Sequence, residues 1–419
     1  MNEPTPRRAR ILVLVAAFLG WMFDGLEMGV FPLVARPALR DTMGAGTAGV
    51  SPDQYVGVWM GYITALFLIG AALGGVVFGW LGDRIGRVRS MSLTILAYSV
   101  FTGCCYFATE PWHLGLFRFL AAFGMGGEWS LGVALVMEAW PRDKRPLLAG
   151  VIGAASNVGF ALIAVFGFWL KVTEANWRWV MVAGAAPAVL ALLVVWFVPE
   201  SEKWKESVRK EGKANPLKEV FSASMLKTTL LAIAFAAVAL IGTWGSVQWL
   251  PVWAGQLTDG TPAHGQAGAM TQILSGVGAI VGCLIGALFA GKFGRRPAYF
   301  ALSLLSIVLC QYLFRGVNTY GTTFLVLVFC IGGVTAAFYG WLPLYLPELF
   351  PTRMRATGQG VSFNSGRVLA AVGALTQGQL VSHYGGSYAK AGAVITLIYV
   401  LGMILIWFAP ETKDRPLPE

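Results

Sequence analysis

Long apolar runs alternate with short polar segments from one end of the chain to the other. Twelve runs stand out, at 11–35, 55–80, 90–108, 113–138, 146–170, 178–198, 228–255, 269–290, 298–315, 321–347, 357–381 and 388–409. A run of about 18 residues or more, wound as a helix, can cross a hydrocarbon core of about 30 Å. The pattern predicts an all-α polytopic membrane protein with twelve transmembrane helices. The longest polar stretch, PESEKWKESVRKEGKANPLKEV at 199–220, falls between the sixth and seventh runs. It reads as a basic linker that includes an amphipathic surface helix.

The two sides of that linker repeat each other. GWLGDRIGRVR (79–89) aligns with ALFAGKFGRRP (287–297) at an offset of 208. MEAWPRDKRPLLAGV (137–151) aligns with PELFPTRMRATGQGV (347–361) at 210, pairing Glu138 with Glu348 and Arg145 with Arg355. VWFVPES (195–201) aligns with IWFAPET (406–412) at 211. The chain thus divides into a six-helix bundle at 1–198, a linker at 199–227 and a second six-helix bundle at 228–419. Repeated halves of this kind imply a substrate site between them near mid-membrane, with one half rocking against the other.

Composition agrees with the runs: 56% of the 419 residues are hydrophobic and 12% charged. A soluble globular chain carries about 25% charged residues. The first run is too long for a cleavable signal, and no small-residue cleavage site follows it. The net charge of +10 is placed for topology rather than for nucleic acid. With the N-terminus in the cytoplasm, twenty-three Lys and Arg fall on that side and six on the other, with Arg118 and Arg367 left inside the membrane. Both termini are then cytoplasmic, in a bacterial inner membrane. Cys104, Cys105, Cys283, Cys310 and Cys330 lie in apolar stretches without metal or disulfide spacing. His113, His264 and His383 sit at outer loops or helix ends. There is no nucleotide loop, metal set or catalytic triad, so neither an enzyme nor a cofactor is expected.

The loop after the second run reads GxLxDRxGRxR, with Gly79, Leu81, Asp83, Arg84, Gly86, Arg87 and Arg89 in the fixed places. In that position, and with a weaker copy after the eighth run, it resembles the major facilitator superfamily across essentially the whole chain. Gly86 permits a sharp turn between antiparallel helices, and Gly79 permits close packing. The resemblance implies that Asp83 bridges to the start of span eleven, at 353–357, and stabilises the state closed to the cytoplasm. Arg84 and Arg87, with Glu138, Arg145, Glu348 and Arg355 of the duplicated loops, join it as gating residues; retention of the loop by positive charge alone is the plainer alternative. The second copy has Gly291 where the acid would stand, so only the first half should carry the latch.

Asp24, Glu27, Arg118, Glu128 and Arg367 fall within spans. Each would cost about 2.5–3.5 kcal/mol at the bilayer centre, so they must face a cavity or one another. Asp24 and Glu27 lie about 20–24 Å from the cytoplasmic side, and Arg118 about 8 Å below the outer surface. Arg118 can therefore pair with either acid, leaving one carboxylate as a proton carrier; a static brace is the alternative. The Asp24-Gly25-Leu26-Glu27 segment resembles the acidic motif of the metabolite, sialate, monocarboxylate and aromatic-acid proton symporters, with Glu in place of a second Asp. Glu128 suits a second relay or part of a gate.

Arg367, whose duplicate is Asn157, is placed to hold a substrate carboxylate through its planar fork, unless Asn364 and backbone carbonyls satisfy it. Gln248, Trp244, Trp249, Tyr339 and Trp341 are candidates for the rest of the chamber wall. The paired glutamines that mark sugar porters in span seven are missing. The expectation is a monomeric, proton-coupled symporter of a small organic anion in the lipid bilayer; sugar transport and drug/proton antiport are the alternatives.

Overall fold

The computed structural model describes residues 6–42, 52–169, 174–211, 216–258, 261, 264–384 and 387–418. Lys171 and Lys213, both in the charge tally, lie outside the described residues. Every regular element among the described residues is a helix. The first half opens with α1 (Arg7–Asp41), α2 (Pro52–Ile85) and α3 (Arg87–Cys104). Between α2 and α3 the chain reverses at Gly86, whose φ of 111° suits glycine and few other residues. The fourth span is two helices, α4 (Pro111–Met125) and α5 (Glu128–Ala139), separated at Gly126 and Gly127. α6 (Arg145–Trp169) is the fifth, and α7 (Trp177–Ala183) with α8 (Ala188–Phe197) the sixth.

The linker holds α9 (Glu202–Glu211) and the short α10 (Pro216–Val220). The second half follows with α11 (Leu226–Trp244), α12 (Leu250–Leu257), α13 (His264–Phe293) and α14 (Arg295–Gly316). It ends with α15 (Thr322–Ala336), α16 (Phe338–Leu349), α17 (Arg355–His383), α18 (Tyr388–Ile395) and α19 (Ile398–Leu405). The local devices repeat with the sequence. Gly294 turns at φ 104°, as Gly86 does. The α15–α16 break at Ala337 matches Gly127 at the offset of 210.

Eleven helical segments among the described residues are long and apolar enough to cross a membrane. The remaining expected span, 357–381, also forms a helix, α17, but Gln359, Asn364, Arg367 and Gln377 make it more polar than the others. The outward surface is apolar, with Leu73, Leu192, Ile285 and Leu375 all exposed. In lipid, such a surface needs no covering partner.

The halves meet along two seams, α2 against α17 and α6 against α13, while α5 and α16 touch across the middle. Glycine sets the closeness of both. At the first seam Gly360 lies against the Gly75 carbonyl; at the second Gly150 lies against Cys283 and Leu284. The chain ends mark one face. Trp140 Nε1 donates to the Arg10 carbonyl at 3.0 Å, and Arg355 donates to the Pro418 carbonyl at 2.8 Å. The face that carries both ends and the loops around Arg87, Arg145, Arg295 and Arg355 is called the basic face below.

Candidate functional site

All five ionisable side chains of the spans are buried, and they form two neighbouring groups. Glu27 and Asp24, three residues apart on α1, point about 60° apart around the helix axis. Glu27 Oε1 takes the Arg118 guanidinium and, at 2.8 Å, the Thr102 hydroxyl. Arg118 Nη2 donates to the Glu27 carbonyl at 3.4 Å, and its guanidinium carbon lies 4.7 Å from the Phe67 ring centre. Of the two acids open to Arg118 from the sequence, the geometry selects Glu27. Removing one partner of such a buried pair typically costs about 3–5 kcal/mol.

Asp24 belongs to the second group. The charged side chains that act on it are Glu128, Arg367 and Glu27. Glu128 fills the space beside Gly20, one turn before Asp24, where any side chain on residue 20 would exclude it. Neither carboxylate has a hydrogen bond from any third group among the described residues. Arg367 comes from the other half. Its Nη1 donates to Asn364 Oδ1 at 3.0 Å, its guanidinium stands 5.0 Å from the Phe363 ring centre, and Tyr339 and Asp24 act on its charge. Asn364 Nδ2 donates to the Gly360 carbonyl at 2.9 Å and across the seam to the Gly126 carbonyl at 3.3 Å. That second acceptor sits at the break in span four. Beside it, Phe363 stacks on Trp129 with ring centres 4.2 Å apart and planes 19° off parallel. One face of α17 thus presents Phe363 to Trp129 and Asn364 to the break in span four, with Arg367 on the same face beside Asn364.

A second constellation closes the basic face. Asp83 Oδ2, at the end of α2, accepts from the Thr357 N–H at 2.8 Å and the Thr357 hydroxyl at 2.5 Å. Thr357 is the third residue of α17, so Asp83 caps from the other half a helix start whose N–H groups lack partners. Asp83 Oδ1 pairs with Arg87. Arg87 donates to the Thr352 carbonyl at 2.8 Å and to Glu138 Oε1 at 3.3 Å. Glu138 Oε1 also takes Arg355 Nη1 at 2.9 Å, and its Oε2 takes the Ser201 hydroxyl. Arg87, Glu138 and Arg355 are buried, so this carboxylate ties the two halves without water between.

The matching residues of the second half make a network of another reach. Arg295 forks onto Glu348 at 2.9 and 2.6 Å, and Thr412 donates to Glu348 at 2.6 Å, all within that half. Glu200 and Glu411, equivalent at the offset of 211, cap the starts of α3 and α14 through the N–H groups of Arg87 and Arg295, both at 2.9 Å. Burial pushes the Glu200 carboxyl up from its ordinary value despite its hydrogen bonds. Burial also acts on Glu411, but the N–H groups of Arg295, Arg296 and Lys413 outweigh it and hold that carboxyl down.

The linker is fastened to both sides of the latch. Trp204 Nε1 donates to the Asp83 carbonyl at 2.9 Å, while Glu219 pairs with Arg353 at 2.6 Å. Val220 packs with Met354 and Val361.

Other expected residues lie further out. Asn157 is half-buried and directs Nδ2 to Cys283 Sγ at 3.9 Å. Gln248 is exposed; Trp249 donates to the Trp244 carbonyl at 3.2 Å, around the α11–α12 break. Among the described residues none of these four bonds to Arg367 or Asp24. Trp341, expected on the chamber wall, is fully buried among Phe235, Tyr299 and Tyr345 and donates to the Arg295 carbonyl at 2.9 Å. Its place is the packed interior of the second half. Arg84 is exposed and stacks over Trp80 at 4.9 Å. Arg145 is buried near the basic face. The sequence reading missed Thr102, Trp129, Phe363, Ser201, Thr352 and Glu200. Of these, Glu200 and Ser201 carried a signal in the PES segment that recurs as PET, and Thr102 one in the four-residue spacing of hydroxyls along α3.

Comparison with known proteins agrees with the fold. The Major Facilitator Superfamily model matches residues 12–374. The inner membrane metabolite transport protein YgcS of Escherichia coli K12 is 27% identical, covering 100% of this chain and 95% of its own length. The cis,cis-muconate transport protein of Acinetobacter baylyi is 28% identical over 85% of this chain and 86% of its own. In fold, the chain is similar to the proton:xylose symporter XylE bound to a bromodeoxyglucose, with TM-score 0.77, 17% identity and 97% of each chain covered. A family match over most of the sequence, together with two pseudo-equivalent halves joined at glycine-lined seams, places the chain in the Major Facilitator Superfamily, whose members are membrane transporters and not enzymes.

Proposed function

We propose that this chain is a proton-coupled symporter of a small organic anion. It works by alternating access between halves at 1–198 and 228–419 joined by the linker at 199–227. One observation carries the reading: buried Arg367 of the second half holds Asn364, which reaches the Gly126 carbonyl of the first half, and Glu128, two residues on, lies beside Gly20, one turn before buried Asp24. The name of the muconate relative, a dicarboxylate carrier, favours an acid as cargo.

The coupling follows from charge conservation in a buried site. Without cargo, the Arg367 cation is balanced by the Asp24 carboxylate. A substrate carboxylate arriving at Arg367 would leave two anions facing one cation away from water, which is costly. A proton taken up by the Asp24–Glu128 pair restores the balance, so anion and proton bind together or not at all. Glu27 and Arg118 hold α1 and α4 in register while this happens. Asn364 and Tyr339 orient the cargo around Arg367, and Phe363 and Trp129 offer it flat apolar faces.

The basic face is assigned to the cytoplasm by its excess of Lys and Arg. On that assignment the chamber is closed to the cytoplasm here, and Asp83, Arg87, Glu138 and Arg355 must part before cargo leaves. Purified protein in liposomes with an imposed pH gradient tests the reading, using muconate, benzoate, sialic acid, lactate and a hexose. The acids should accumulate and a protonophore should abolish it. Proton-driven accumulation of the hexose alone would sink it.

A further inference from the structure

α3 carries hydroxyl side chains at four-residue spacing, Ser90, Thr94, Tyr98 and Thr102, and all four have no solvent exposure. That spacing keeps them on one helix face, about 6 Å apart along the axis. At the positions 208 residues later the second half, which lacks the acids, has Ala298, Leu302, Ser306 and Cys310. Thr102 donates to Glu27 Oε1 at 2.8 Å, and Thr94 to the Met91 carbonyl at 2.6 Å. The Tyr98 hydroxyl has no hydrogen-bond partner among the described residues. A buried polar group left so forgoes about 1–3 kcal/mol, and its retention needs a reason.

The reason lies in its neighbours. Glu128, Asp24 and Glu27 are the charged groups that act on the phenol. Gly124 lets the α4 backbone close onto the Tyr98 N–H, which brings α3 up to the acids. Thr102, one turn further along α3, fixes the level by its bond to Glu27. Glu27 itself uses only Oε1 for Arg118 and Thr102; its Oε2 has no partner among the described residues. Tyr98 precedes Thr102 by one turn on α3, as Asp24 precedes Glu27 by about one turn on α1, so the unpartnered phenol is set at the level of the Asp24–Glu128 pair, one turn from the Thr102–Glu27 bond.

We infer that Tyr98 is a proton-relay residue joining Glu27 to the Asp24–Glu128 pair. The inference rests on the proton-coupled reading above. In the relay step a side-chain movement first brings the phenol within hydrogen-bond reach of Glu27 Oε2; the O–H bond there breaks and one forms at the phenolic oxygen. The phenol's original O–H bond breaks as one forms on Glu128. One proton advances, and Tyr98 ends neutral as it began. While Oε2 carries the proton, Glu27 Oε1 keeps its hydrogen bond from Arg118, and the ion pair returns when the proton leaves, so the brace keeps its contact through the cycle.

The test compares two assays in liposomes: pH-driven accumulation of an acid that the wild-type protein carries, and counterflow exchange of the same acid at equal pH. Tyr98→Phe should lower the initial rate of pH-driven accumulation about tenfold or more, the scale of a lost proton-transfer group, and leave counterflow within about twofold. Unchanged accumulation in Tyr98→Phe overturns the relay. If both assays fail together, Tyr98→His decides: recovered accumulation supports the relay, and no recovery overturns it. Wild-type protein that exchanges acid but ignores the pH gradient would remove the coupling reading itself, a result separate from any behaviour of the variant.

Discussion

The α2–α17 seam and the α6–α13 seam are products of one duplication, yet they are built from different chemistry. At the first, Asp83 caps Thr357, Glu138 binds Arg355, Arg87 reaches the Thr352 carbonyl and Asn364 reaches Gly126. At the second, Gly291 stands where Asp83 would be and lies against Pro146, and Leu147, in the place of Thr357, has no hydroxyl to offer. Gly150 and Gly153 press on Cys283 and Tyr339, and the Cys283 thiol donates to the Gly153 carbonyl at 3.4 Å. A seam held by charges and caps can exchange its partners for water at the basic face. A seam of small residues in van der Waals contact has little to exchange and can roll while staying closed. The first is suited to a latch, the second to a pivot.

The sharpest way to break that contrast is to neutralise the paired glutamates. Glu138→Gln removes the carboxylate charge that buried Arg87 and Arg355 share and should shift the closed–open balance toward open by about 3–5 kcal/mol. Glu348→Gln should lower thermal stability without opening the basic face, because Arg295 and Glu348 share one half. Cysteine labelling at the basic face, read beside a melting curve, separates the two effects. Equal labelling in both variants would end the distinction. Next in size, Asp83→Asn removes one acceptor and the charge that caps α17, worth about 1.5–3 kcal/mol toward the open state by the same labelling. Gly291→Ala should strain the pivot seam against Pro146 and slow exchange without exposing the basic face.

A smaller effect is expected at Gly75, where an added methyl would occupy the space of the Asn364 amide. Gly75→Ala should lower the melting temperature, and Asn364→Ala added to it should restore part of the loss. Additive losses would show that the two positions are not in contact. The smallest concerns the caps outside the membrane. Glu411, held down, contributes stability present above the unfolded carboxylate value and lost as pH falls through its own lower value. Glu200, pushed up, acts with the opposite sign: its contribution is full below the unfolded value and fades as pH rises through its own higher value. At neutral pH Glu411→Gln should therefore destabilise and Glu200→Gln should not, with the gap narrowing as the melting curves are repeated toward pH 4.

Much of this was legible in the sequence because it is periodic or local. The apolar runs, the offset near 210 and the loop at 79–89 each rest on spacing along the chain, and Asp83 could be matched to 353–357 through the family. What the sequence left open depends on azimuth. Asp24 and Glu27 differ by about 60° around one helix, and only packing decides which meets Arg118. Trp341 was expected to line a chamber because aromatic residues beside prolines look alike whether they face a cavity or a core. The Phe363–Trp129 stack joins residues far apart in sequence, with no spacing rule to announce it. Tyr98 did carry a signal, the hydroxyls at every fourth position of an apolar span, which composition alone hides.

The linker gives the latch an outside handle. Trp204 grips the end of α2, while Glu219 and Val220 grip the loop that starts α17. Opening at that face moves these two anchor points apart, so the segment between them must lengthen or one anchor must release. A ligand or antibody fragment that pins it from the aqueous side would act as a brake on turnover without ever entering the substrate chamber.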